Sequence, residues 1–188
     1  SMMAYAFARF DFPGKEWFFR ALLLGLMIPS MMLIIPQFVL TKQLHLIDNL
    51  WALVLFYVSG NLALNTFLLR SFFEGIPREL DEAMEVDGAN VWTRYWRLAM
   101  PLARPALATT VIFTFLATWD EFAWALTVIS TETKRTLPIA IQLFHGQNST
   151  QWGLVFAASL IAILPVIVVY LIFQRHFVAG LTAGAVKG

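Results

Sequence analysis

The chain has no cysteine among its 188 residues, which excludes disulfides, thiolate metal sites and a cysteine nucleophile. Charge is scarce as well. Asp, Glu, Lys and Arg together make up 13%, about half the share of an ordinary soluble domain. The net charge is only +1, and no basic run or basic–aromatic interleaving is present, so nucleic acid is not an expected partner. No phosphate-binding loop can be written either. Gly14-Lys15 lacks the upstream glycine spacing and a following Ser or Thr. There is no metalloprotease helix and no nucleophile elbow. His45, His145 and His176 are scattered without metal-ligand spacing. The chain is therefore not expected to be an enzyme, and no cofactor or metal site is expected in it.

What the sequence has is apolar length. Hydrophobic residues make up 59% and the mean hydropathy is +0.70. A membrane span needs about 20 mainly apolar residues. Four segments qualify: 17–40, interrupted by Pro29 and Pro36; 50–73; 101 to about 129; and 152–173, with Pro165 inside. The expected fold class is all-α, a multi-pass transmembrane helical bundle forming one domain over 1–188. Met2 to Ala8 is too short to cross a bilayer and lacks a basic start or cleavage pattern, so it reads as the end of a helix whose beginning is missing.

One stretch departs from this apolar background. Residues 81–101, DEAMEVDGANVWTRYWRLAMP, carry Asp81, Glu82, Glu85, Asp87, Arg94 and Arg97. Pro77 suits a first helical turn, and Glu79, Asp81 and Glu82 oppose the positive end of that helix. Gly88 breaks the run as a left-handed cap would. A second short helix is expected over about 90–98, with Trp92, Tyr95 and Trp96 on one side and Arg94 and Arg97 on the other. Pro101 then opens the next span. The whole of 77–101 is a helix–turn–helix elbow. Composition alone leaves open a hairpin that only lies in the membrane interface.

Placing this elbow inside puts Arg9, Lys15, Arg20, Arg70, Arg78, Arg94, Arg97, Arg104, Arg175 and Lys187 on the inner side and leaves Lys42, Lys134 and Arg135 outside. Positive residues favour the cytoplasmic face, so the elbow and the C-terminal tail, 174–188, are expected in the cytoplasm. Trp17, Trp51, Trp119, Trp124 and Trp152 fall near span ends, where indoles favour the headgroup level.

The order of residues in the elbow resembles the EAA motif of ABC-importer permeases: Glu-Ala-Ala, three residues, Gly, nine residues, Ile, one residue, Leu-Pro. Glu82-Ala83 match, Gly88 has the right spacing, and Leu98, Met100 and Pro101 close the pattern; Asp87 and Ala89 flank the glycine as expected. Met84, Leu98 and Met100 are the departures. Ala4 to Phe10 with Phe12-Pro13-Gly14-Lys15, the Trp119-Asp120-Glu121-Phe122 block (with Asp120 in place of asparagine) and the tail 174–188 are similar to MalG-like carbohydrate-uptake permeases of bacterial or archaeal inner membranes. In that family the elbow is a coupling helix seated in a groove of an ATP-binding subunit. The resemblance implies that Glu82, Ala83, Asp87, Gly88 and Pro101 make up the contact. It also implies the partners: a dimer of ATP-binding cassette subunits holding ATP and Mg, a second permease subunit, and an extracytoplasmic solute-binding protein. Such permeases have about six spans, so N-terminal spans are expected to be missing here. That gap favours the alternative, a truncated non-transporting scaffold or inactive paralogue.

Polar residues inside spans mark packing contacts or a wet path. Asn61 and Asn65 lie one helical turn apart and read as interhelical glue, with a cavity wall as the alternative. Asp120 and Glu121, about 30 Å along a helix from Pro101, read as a water-facing lip, with a gate as the alternative. With Trp119 they complete the candidate translocation path. The loop 131–151 is a candidate contact for the solute-binding protein or a solvated connector.

Overall fold

The computed structural model describes residues 1–146 and 150–185, with side chains up to 174. Gln147, Asn148 and Ser149 of the candidate contact loop, and Val186 to Gly188 of the tail, lie outside the described residues. The described chain is helical, and its one β-type pairing is a single bridge between His145 and Thr150.

α1 (Met2–Arg9) leads through Gly14, at φ +78°, into α2 (Lys15–Leu24). The first apolar segment is not one straight helix. A 3-10 turn (Gly25–Met27) ends at Ile28, and Pro29 takes an extended conformation (φ −60°, ψ 126°) before a second 3-10 turn (Ser30–Leu33) and α3 (Ile34–Gln43). Pro29 breaks the helix and Pro36 does not. Pro36 falls in the first turn of α3, where its missing N–H would have no partner in any case. α4 (Leu50–Glu74) is a continuous 25-residue helix.

The elbow follows as α5 (Arg78–Val86) and α6 (Val91–Arg94), the latter running through a π-helical turn (Tyr95–Ala99) into α7 (Met100–Leu102). This limb is longer than the expected 90–98, and Pro101 sits inside it rather than opening the next helix. A proline deprives the preceding turn of an N–H donor and crowds it, and the wider π-helical turn just before Pro101 accommodates both effects. The break comes at Ala103, where the axis bends by 75° into α8 (Arg104–Trp119). α8 has 16 residues, about 24 Å, which falls short of a hydrocarbon core of about 30 Å. The third segment is therefore broken twice. It resumes after residues 120–122 as α9 (Ala123–Val128). α10 (Leu137–Gln142) and the 34-residue α11 (Trp152–Ala185) complete the chain. Pro165 leaves α11 unbroken, and the backbone of the expected tail is still helical through Ala185.

Among the described residues, two helices are long and apolar enough to cross a membrane, or four if each bent pair counts as one span. None of the most apolar window of Trp152–Gln174 is buried. Such a surface calls for lipid or partner helices rather than water.

The chain divides into two compact units: 1–27, 62–113 and 173–188 in the first, and 28–61 and 114–172 in the second. The first has a core of Ala4, Tyr5, Ala8, Leu69, Phe73, Ile76, Tyr95, Ala99 and Ala103. Its four alanines let α1 and the second limb of the elbow pack closely. The core of the second unit is Ala52, Leu53, Trp124, Ala125, Val128, Ile129 and Ile139, drawn from the start of α4, from α9 and from α10.

Candidate functional site

The elbow is shaped by local chemistry at its turn. Asp87 ends α5, and Gly88 follows at φ +81°. The Gly88 N–H donates to the Glu85 carbonyl (2.9 Å) and the Ala89 N–H to the Met84 carbonyl (2.9 Å), closing the last turn of α5. No atom stands within 4 Å of where a Cβ on Gly88 would lie, so the demand for glycine comes from backbone conformation alone. Asn90 starts the second limb. Its side-chain oxygen accepts from the Thr93 N–H (2.9 Å) and the Thr93 hydroxyl (3.0 Å), a helix cap that the Asn-x-x-Thr order could have signalled. An Arg94–Glu85 ion pair joins the two limbs.

α1 holds the elbow from behind. Arg9 donates from a terminal guanidinium nitrogen to the Ile76 carbonyl at 2.8 Å, just before α5, and its Nε lies 3.1 Å from Oδ2 of Asp81. The two side chains are 7% and 14% exposed, so this ion pair is nearly dry. The Tyr5 hydroxyl reaches the other Asp81 oxygen at 3.4 Å, and the Tyr5 ring meets Phe73 and Tyr95 edge-on at 5.6 and 5.3 Å. Asp81 was expected only to balance a helix dipole. Sequence reasoning missed its tie to Arg9, because 72 positions separate the pair and nothing local joins them. Beside this clamp lies a cleft of about 260 Å³, bounded by Tyr5, Arg9, Arg78, Glu82, Glu85 and Arg94. Including Asp81, its three arginines face three carboxylates, a balance that selects no ion of either sign.

The clamp turns Asp81 inward and leaves the other face of α5 free. Glu82, Ala83, Asp87 and Gly88 are all exposed, and Val86 beside them is 88% exposed. Trp92 and Trp96 on the second limb are 61% and 55% exposed. The structure thus gathers four of the five predicted contact residues on one helix and its cap. Pro101, also exposed, stands apart on the second limb.

The other predicted site residues are differently placed. Asn65, in the first unit, is half-buried on α4. Asn61, in the second, is half-buried and donates to the Tyr57 carbonyl of its own helix at 2.9 Å. Trp119 stacks on Phe115 with ring centroids 5.3 Å apart, and its indole N–H donates to the Ala162 carbonyl of α11 at 3.1 Å. Asp120 is exposed, whereas Glu121 is half-buried. Oε1 of Glu121 accepts from the Trp124 N–H (2.7 Å), and Oε2 accepts from the Ala125 N–H (3.0 Å) and the Tyr57 hydroxyl (2.8 Å). Of the two acids read together as a water-facing lip, only Asp120 is outward. Their equal reading assumed one straight helix from Pro101, and the break after Trp119 separates them.

A third acid escaped sequence reasoning altogether. Asp48, at φ +57°, accepts on Oδ1 from the N–H groups of Ser130 and Thr131 (2.9 Å each) and on Oδ2 from Lys134 Nζ (3.1 Å) and the Thr131 hydroxyl. The hydrogen bonds from Thr131, followed by those from Ser130 and Lys134, hold its carboxyl well below the usual carboxylate range.

Comparison with known proteins agrees with this architecture. The chain is 35% identical over 185 residues to the probable ABC transporter permease protein YurM of Bacillus subtilis, covering 98% of this chain and 62% of that one. It is 39% identical over 190 residues to the trehalose transport system permease protein SugB of Mycobacterium tuberculosis, covering 100% of this chain and 69% of the relative. A solved bacterial ABC transporter involved in the import of the acidic polysaccharide alginate contains a chain that matches with a TM-score of 0.79 at 27% identity, over 93% of this chain and 66% of that one. The chain thus spans about two thirds of the length of these relatives. The sequence pattern of the family described as "binding-protein-dependent transport system inner membrane component" matches residues 1–183, and the chain belongs to that family.

Proposed function

We propose that the chain acts as the membrane permease subunit of an ATP-driven importer of sugars or related solutes, and that α5 is the part through which an ATPase drives it. The observation that carries this reading is the two-faced α5. Asp81 anchors it to Arg9 from behind, and Glu82, Ala83, Asp87 and Gly88 present a polar, exposed front. A helix fixed on one side and bare on the other can pass on a push. In this reading the front of α5 seats in a separate ATP-binding subunit, one of a pair that holds ATP and Mg. The elbow and the C-terminus lie in the cytoplasm, and a second permease subunit and a solute-binding protein complete the assembly. The names of the relatives, a trehalose permease and an alginate importer, support a carbohydrate as the solute class.

The clamp ties α5 to α1, and α1 shares the first core with the end of α4 and the second limb of the elbow. Movement of the elbow then tilts those helices rather than sliding past them. The test is co-purification with the ATP-binding subunit and coupled ATPase in the reconstituted complex. Glu82→Arg reverses a charge on the exposed front. Gly88→Leu forces a side chain into a left-handed turn, at a cost of about 1–2 kcal/mol. Both variants are expected to lose the ATPase subunit or its coupling. Unchanged capture and unchanged coupled turnover in both would refute the role of the elbow.

A further inference from the structure

α9 is a six-residue helix, too short to hold its shape by its own hydrogen bonds. Three of its six residues are nevertheless deeply buried: Trp124, Ala125 and Val128 are 5%, 0% and 2% exposed. Both of its ends are tied by acids. At its start Glu121 accepts from the Trp124 and Ala125 N–H groups while also accepting from the Tyr57 hydroxyl of α4. At its end the Asp48 N–H donates to the Val128 carbonyl at 2.8 Å, and the Asp48 carboxylate collects the Ser130 and Thr131 N–H groups that follow. Lys134 Nζ closes the second tie on the Asp48 carbonyl at 2.6 Å.

We propose that Glu121 and Asp48 are paired positioning residues that fix the two ends of α9 and so set the segment 129–134 that follows it. Neither acid is aimed at a solute, because each spends its oxygens on donors of the chain itself: amides and a hydroxyl for Glu121, and amides, a hydroxyl and the Lys134 ammonium for Asp48. The helix between them is too short to bend, so loosening one end is felt at the other. On the permease reading given above, 129–134 lies at the outer mouth, and the brace keeps that mouth in register with α4. Asp120, just before α9, is exposed, and its backbone N–H donates to the Leu116 carbonyl at 3.2 Å.

The experiment is residue-resolved hydrogen–deuterium exchange on the full chain in its membrane complex. Glu121→Ala is expected to speed exchange about tenfold at Trp124 and Ala125, and also severalfold at Ser130 and Thr131, the far end. Asp48→Ala is expected to act in the reverse direction along the same path. Glu121→Gln keeps one acceptor oxygen but sets an NH2 against the donors of the other, so it is expected to restore only part of the protection, and Asp120→Ala to change neither end. Should Glu121→Ala not yield a folded complex, Tyr57→Phe removes one of the three donors to Glu121 and is expected to speed exchange about threefold at Trp124 and Ala125. The proposal is overturned if each substitution acts only at its own end, if Asp120→Ala matches Glu121→Ala, or if Tyr57→Phe has no effect. Unchanged ATPase capture and coupled turnover in the elbow variants would sink the permease reading and leave these exchange patterns standing, so the two failures are distinguishable.

Discussion

The two units neutralise their acids by different means. In the first, Asp81 meets a cation from a distant part of the chain, and the pair is nearly dry at 3.1 Å. In the second, Glu121 meets backbone N–H groups and a tyrosine hydroxyl, and Asp48 meets backbone N–H groups, a threonine hydroxyl and Lys134. An ion pair between side chains concentrates its strength in two groups, and removing either strands the other in a dry site. Bonds to backbone amides are shared among several donors that no substitution can delete, so their loss is partial. The first device suits a joint that must carry force through one point. The second suits a short element that must be held still along its length.

This contrast predicts unequal losses. The largest belongs to the clamp. Arg9→Ala leaves the Asp81 carboxylate buried without its cation and should lower stability by about 3 kcal/mol, since breaking a buried pair from one side costs about 3–5 kcal/mol. Thermal unfolding of the purified protein checks this, with the double variant Arg9→Ala/Asp81→Ala expected to recover part of the loss. A loss in the double variant equal to the sum of the losses in Arg9→Ala and Asp81→Ala would mean that the pair is not coupled.

Asn90→Ala sharpens the comparison by testing the amide-binding device inside the first unit. Loss of this cap should cost about 1 kcal/mol, against the larger figure for the clamp. It should leave the Arg9–Asp81 coupling energy unchanged in the same unfolding assay.

The smallest effect should appear only in acid. The Asp48 carboxyl is held below its ordinary value in the folded chain. A depressed carboxyl stabilises the fold above its unfolded pKa of about 3.9, and that contribution is lost as pH falls through the lower folded value. Asp48→Asn should therefore flatten the acid limb of the stability profile while its difference from the unaltered chain stays constant from neutral pH down to about 4. A difference that instead opens near pH 6 to 7 would point to a group other than Asp48.

Much of the elbow was legible in the sequence because its rules are local. Gly88 is left-handed and ends α5 where a glycine after Asp87 should. The exposed front of Glu82, Ala83 and Asp87 follows from one helical turn and its cap. The cap at Asn90 is equally local, carried by the Asn-x-x-Thr order. Pro101 misled for a physical reason: a proline usually opens or ends a helix, and here a wider turn absorbs it, so the break falls two residues later at Ala103. The pairing of Asp120 with Glu121 failed in the same way, because depth counted along one straight helix loses meaning once that helix stops at Trp119.

Composition and residue order by themselves determined that this chain is helical, built for a membrane, and equipped with one charged elbow, since each of these depends on neighbours within a turn or two. Tertiary structure alone decided what the acids do. Which of Asp81, Glu82, Asp120 and Glu121 turns inward depends on partners tens of residues away, Arg9 for one and Tyr57 for another, and a carboxylate takes its role from the donors that surround it.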